Sequence, residues 1–132
     1  MSGSIRSYRD LDAWKLSVGL CTTIYDVTNG FPDSERYGLV NQLRRAVVSI
    51  PSNIAEGWGR GTSVEYARFL RVARGSLYEV ETQLVIANEL GYLGRETFAD
   101  VLEAANQCGR VLAGLVKSIE GKSGRRSGSP SP

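Results

Sequence analysis

Residues 42–58 read QLRRAVVSIPSNIAEGW, and the spacing of their apolar members decides the fold. Leu43, Val47, Ile50 and Ile54, preceded by Val40 and followed by Trp58, recur at intervals of three and four, which lines them up along one side of an α-helix. The same stretch carries Pro51 in its interior. A proline there removes the bond to the Val47 carbonyl and crowds it, so the spacing predicts a kinked helix and an acceptor that needs water or a neighbouring side-chain donor.

Working outward, the pattern predicts a helix from about Glu35 to Trp58, roughly 35 Å long, broken by the GRG at 59–61. Three further segments show helical spacing and none shows sustained strand alternation. Leu11, Trp14, Val18, Cys21, Tyr25 and Thr28 mark a helix over residues 10–29, stopped by Asn29-Gly30 and Pro32. Thr62 and Glu65 form a capping-box pattern that opens a third helix. Its core line is Tyr66, Phe69, Leu70, Ala73, Leu77, Val80, Leu84 and Ala87, and it ends near Gly91. Phe98, Val101, Leu102, Ala105, Cys108, Leu112, Leu115, Val116 and Ile119 give a fourth, over residues 95–119. Short connections between four such helices imply an all-α, antiparallel up-down-up-down four-helix bundle, one domain over residues 1–120. The basic, Gly/Ser/Pro-rich residues 121–132 read as a disordered tail.

Helices two and three each carry a second line. On the former it is Gln42, Arg45, Ser49, Asn53, Glu56 and Arg60; on the latter Glu65, Arg68, Val72, Gly75, Glu79, Gln83 and Ile86. These lines read either as solvated faces or as a second packing surface. Val72 and Ile86 favour packing, as do the small residues Ser49 and Gly75, because a glycine inside a helix costs about 1 kcal/mol against alanine. Close approach of another backbone is the usual compensation. The expected surface lies between subunits, with Glu56 and Glu79 available to Arg45, Arg60 or Arg68.

Charge is blocked along the chain. Residues 36–76 carry a net +5, residues 77–103 a net −5 and residues 104–132 a net +4, within a total of +2. Such blocks suit steering of an anionic partner or pairing between copies. Arg44, Arg45, Arg60, Arg68, Arg71 and Arg74 with the tail could track an RNA or DNA backbone. However, the last three step round their helix by about 60° each and form an arc rather than a stripe.

Histidine is absent, which removes the commonest general base and metal ligand, and with it the Glu-x-x-His di-metal site of many bundles. No P-loop occurs, and Gly57-Trp-Gly-Arg-Gly61 joins two helices rather than a strand and a helix. Neither an enzyme nor a cofactor, metal or small-molecule site is expected. Cys21 and Cys108 read as two buried thiols, with an oxidised pair left open. The start lacks an apolar signal region, and the longest uncharged runs, Leu16–Tyr25 and Ala46–Ala55, are about ten residues each, too short for a bilayer. A cytoplasmic location follows as the expectation.

The run QLRRAVVSIPSNIAEG at 42–57, ARGSLYE at 73–79 and YRDLDAW at 8–14 together resemble the four-helix-bundle proteins related to those encoded by intervening sequences in bacterial 23S ribosomal RNA genes. The resemblance covers about residues 8–120. It implies a cytoplasmic bacterial bundle that assembles as a ring-shaped homopentamer. A distantly similar accessory protein of diversity-generating retroelements implies, further off, binding of nucleic acid and of a reverse transcriptase. Gln42, Arg45, Ser49, Asn53, Glu56, Gly75, Ser76 and Glu79 match the motifs, and the resemblance gives them structural or interface roles.

Overall fold

The computed structural model describes the backbone of residues 4–126 and the side chains of residues 4–121. Four α-helices account for most of it: α1 (Asp12–Thr28), α2 (Leu39–Trp58), α3 (Ser63–Glu89) and α4 (Arg95–Arg126). No strand occurs among the described residues. Their partners run in opposite order along neighbouring helices. Gln42 lies by Gln83 and Ser49 by Ser76, while Arg44 on α2 reaches back to Thr28 and Cys21 to Val47. Across α3 and α4, Arg71 pairs with Glu120 whereas Leu77 meets Gly109. α1 also packs on α4, so each helix touches the two beside it and the bundle is antiparallel.

The core lines of α2, α3 and α4 fall where their spacing places them. Leu43, Val47, Ile50, Ile54, Leu70, Leu77, Val80, Leu84 and Leu112 are among the fully buried side chains. In α1 the structure corrects the phase. Its buried residues are Ala13, Ser17, Leu20, Ile24 and Thr28; of the expected line Leu11, just before the helix, and Thr28 are buried, while Trp14, Val18 and Cys21 are partly buried and Tyr25 is exposed. The reason is that two core positions carry hydroxyls satisfied within the helix. Ser17 Oγ donates to the Trp14 carbonyl at 2.9 Å and Thr28 Oγ1 to the Ile24 carbonyl at 2.7 Å.

The start of α2 also shifts, from Glu35 to Leu39. Residues Asp33–Glu35 make a 3-10 turn, and Gly38, at φ −106° and ψ −110°, is not helical. Glu35 serves the helix from outside it. Its Oε1 accepts from the Leu39 N–H at 3.0 Å and its Oε2 from the Tyr92 hydroxyl at 2.8 Å, and the Tyr92 ring lies 5.4 Å from that of Phe31. The α1–α2 and α3–α4 connections are thereby joined at one end of the bundle. At the end of α4, the helix is described to Arg126, so the boundary expected at residue 121 falls inside it. Residues 127–132 lie outside the described residues.

Pro51 sits buried inside α2, and the acceptor it frees is met from α1: Cys21 Sγ donates to the Val47 carbonyl at 3.3 Å. Burial pushes the thiols of Cys21 and Cys108 up to about 11. Both cysteines are free, and at neutral pH each keeps its proton, so Cys21 remains a donor.

α2 and α3 approach closely at Gly57, where an added Cβ would stand 2.8 Å from Phe69 Cβ and 3.2 Å from the Tyr66 carbonyl oxygen. Gly57→Ala should therefore lower the unfolding free energy by about 1–3 kcal/mol in denaturant titrations. A second expectation concerns pH. The Leu39 N–H and then the Tyr92 hydroxyl hold the Glu35 carboxyl below its ordinary 4.5, and Glu35 holds the Tyr92 phenol above its ordinary 10. A lowered carboxyl stabilises above pH 4.5 and loses that as pH falls; a raised phenol stabilises below pH 10 and loses that as pH rises. The stability gap between wild type and Tyr92→Phe should thus be level around neutrality and shrink beyond both limits.

Candidate functional site at the seam of α2 and α3

The seam is built from small polar residues facing each other. Ser49 on α2 and Ser76 on α3 share a hydrogen bond of 2.8 Å between their hydroxyls. Asn53, one turn on from Ser49, donates from Nδ2 to the Ser49 carbonyl at 2.8 Å and to its hydroxyl at 3.0 Å. Side chains this short let the two backbones close up, and above them the longer residues splay into a groove of about 410 Å³. Gln42, Arg45 and Ser49 form one wall, and Ser76, Glu79 and Gln83 the other. Gln83 Nε2 bridges to Gln42 Oε1 at 3.4 Å, while Gln83 Oε1 is buried with no hydrogen-bond partner.

Five of the expected interface residues, Gln42, Arg45, Ser49, Ser76 and Glu79, therefore line one groove, with Asn53 bonded beneath it. Arg45 and Glu79 stand on opposite walls, and neither is in an ion pair among the described residues. A second depression continues over the outer side of α3, lined by Gly75, Tyr78, Thr82 and Ile86 beside Glu79 and Gln83. Ile86 and, on the same helix, Val72 are each 45% exposed. Apart from Gly75's own stretch of helix, no described atom comes within 4 Å of a Cβ placed on it, so the close neighbour expected for that glycine is not supplied by the described residues.

Glu56 and Arg68 do not join the groove. Glu56 pairs with Arg60 at 3.0 Å and Arg68 with Glu65 at 3.1 Å. Both guanidinium carbons lie 4.7 Å from the centre of the Phe69 ring. Arg68, by hydrogen bond and then by charge, holds the Glu65 carboxyl below the usual carboxylate range. That carboxylate is turned to Arg68, so only half of the expected capping box forms, the Glu65 N–H donating to Thr62 Oγ1 at 3.2 Å.

The arginine arc is largely spent inside the chain. Arg44, read from sequence as a phosphate ligand, closes the end of α1: its Nε donates to Thr28 Oγ1 at 3.0 Å, and its Nη2 to the Tyr25 carbonyl at 3.2 Å and Asn29 Oδ1 at 3.0 Å. Its guanidinium also covers the Tyr25 ring at 4.5 Å. A cation at a helix C-terminus is favourable in itself. Arg71 pairs with Glu120 on α4, leaving Arg45 and Arg74 as the arginines of the set without an anionic partner or helix end. Sequence reasoning missed the roles of Arg44 and of Cys21; both depend on the register between α1 and α2, which spacing within one helix does not carry.

The described residues hold no cluster of three or more His, Cys, Asp or Glu able to take a metal ion, and none of their helices is long and apolar enough to cross a membrane. What the geometry defines is a class: an antiparallel four-helix bundle whose middle helix pair presents an unfilled polar groove beside exposed apolar residues. Residues 9–114 match the family model described as the 23S rRNA-intervening sequence protein, and the chain belongs to that family. The fold is similar to a solved protein of unknown function from the S23 ribosomal protein family of Bacteroides thetaiotaomicron, with a TM-score of 0.72 and 18% identity. That similarity covers 80% of this chain and 98% of the other. No curated protein matches the sequence.

The Ser49–Ser76 contact is open to a direct test. Ser49→Ala strands the Ser76 hydroxyl at a buried position and should cost about 1–3 kcal/mol, whereas Ser49→Ala with Ser76→Ala removes both partners and should cost less than the single change. Chemical denaturation of the three proteins measures it.

Proposed function

We propose that the protein is a non-catalytic assembly protein of the bacterial cytoplasm, whose copies associate through the outer face of α2 and α3. The observation that carries this reading is the combination on one face of unpaired Arg45 and Glu79, the exposed Val72 and Ile86, and a helix-interior glycine with open space above it. A solvated helix gains nothing from Gly75, and buried charges of opposite sign fix register between subunits more reliably than they add stability. Five copies is the number the family resemblance suggests, and a ring is the closed form that an odd number takes.

The competing reading is RNA or DNA binding through Arg44, Arg45, Arg60, Arg68, Arg71 and Arg74. Intrachain partners for four of these lower the charge available to phosphates. Arg45 and Arg74 remain, and self-association accounts for Arg45 without a nucleic acid.

Light scattering should return a multiple of the 14.4 kDa chain mass at micromolar concentration; a monomer there would contradict the proposal. Arg45→Ala or Glu79→Ala should weaken the assembly more than Glu103→Ala on α4. Under the competing reading Arg45→Ala would lower affinity for a structured RNA at low salt and leave the mass unchanged.

A further inference from the structure

The charges of the chain are sorted between the two ends of the bundle. The Ser49–Ser76 and Leu77–Gly109 contacts set a level across α2, α3 and α4, and α1 carries no charge between Lys15 and Asp26. Residues 4–17, 50–76 and 110–126 lie on one side of that level and hold twelve basic and five acidic residues. Residues 18–49 and 77–109 lie on the other and hold four basic and nine acidic. The bundle therefore runs from a net +7 where α3 begins to a net −5 where α3 stops, although the whole chain carries only +2. Antiparallel packing produces this by laying the basic start of α3 beside the basic finish of α4, and the acidic finish of α3 beside the acidic start of α4.

Both ends also hold apolar side chains that the bundle leaves uncovered. Tyr37 is 85% and Leu90 54% exposed, each two residues from a partner in the Glu35–Tyr92 hydrogen bond that joins the connections of the acidic end. At the basic end Val64, in the first turn of α3, is 64% exposed. Tyr37 and Val64 are the most exposed large apolar side chains among the described residues. A nucleic acid on the basic end would leave Tyr37 and Leu90 uncovered, and a basic peptide on the acidic end would leave Val64 so. A second copy of the chain complements both ends when it docks head to tail, whereas a two-fold contact would set like charge against like. We propose that the acidic end of one copy receives the basic end of another, Tyr37 and Leu90 against Val64, so that bundles stack lengthwise. The contact uses neither wall of the seam groove and stands whether or not copies also meet there. Attraction between exposed charges reaches about 30 Å in 10 mM salt and only about 3 Å in 1 M, so the stack belongs to low ionic strength.

Sedimentation at low and at high salt tests the stack, with helical circular dichroism as the folding control. The particle present in about 500 mM salt, whether the 14.4 kDa chain or a multiple of it, should grow about twofold or more in mass in about 10 mM salt. Tyr37→Ser and Val64→Ser, at exposed positions, should each keep the high-salt particle and cut the low-salt growth. Glu89→Lys combined with Glu96→Lys, both exposed at the acidic end, should abolish growth alone and shorten the stacks when mixed with wild type, because such a chain can be received but cannot receive. One mass at both salts would overturn the inference, as would growth that all these variants keep. Growth lost in Glu79→Ala but kept in Tyr37→Ser would overturn it in favour of the seam, and growth only on adding a structured RNA would overturn it in favour of a nucleic acid. A high-salt monomer that still grows at low salt, and stops doing so in Tyr37→Ser, would remove the seam reading and support this one.

Discussion

The close approach of α2 to α3 is the contact on which the rest of the molecule depends. It is made by the smallest side chains available, with hydroxyls of Ser49 and Ser76 2.8 Å apart and no room at Gly57 for even a methyl group. Helix pairs held by large apolar residues keep their axes further apart and their polar residues out in solvent. Here the pair is near enough that Gln42, Arg45, Glu79 and Gln83 rise as walls on either side of the seam. The groove is thus a consequence of the packing that holds the two central helices together. α1 and α4 then cover the apolar lines that α2 and α3 leave on the inner side.

Polar atoms in the core are handled one at a time and close to where they arise. Ser17 and Thr28 bond to carbonyls of their own helix, and the Val47 carbonyl freed by Pro51 is met by the Cys21 thiol across the α1–α2 interface. The thiol is a weak donor, yet an unmade bond at that depth would cost more than a weak one contributes. Arg44 settles the free carbonyl of Tyr25 at the end of α1 in the same way. These commitments leave few polar groups unused, which is why those remaining at the seam, Arg45, Glu79 and the Gln83 carbonyl oxygen, stand out as a set with a common direction.

Much of this was legible in the sequence. The line Val40, Leu43, Val47, Ile50 and Ile54 is buried as its period requires, and the first part of the second line on α2, Gln42, Arg45 and Ser49, lies along the groove. The need for a donor at Val47 followed from Pro51 alone. Which donor meets it did not, because Cys21 is chosen by how α1 is registered against α2. The phase of α1 was hidden for a different reason: Ser17 and Thr28 occupy core positions as polar residues, so the apolar count favoured the neighbouring line through Trp14 and Tyr25. The start of α2 was read too early, at Glu35, because a lone glycine such as Gly38 inside a helical pattern does not by itself mark a boundary. The arginines looked alike in sequence and separated only in space, where each distance to a glutamate or a helix end decides its use.

The family assignment and the structural likeness agree on the bundle fold, and the seam is the surface proposed for association between copies. Hydroxyl-radical footprinting at increasing protein concentration measures most directly whether that face is covered by other copies. Val72, Tyr78 and Ile86 should lose labelling together as concentration rises, while Tyr25, 43% exposed on α1, keeps its own. Labelling of Val72, Tyr78 and Ile86 that stays constant over the same range would contradict the account.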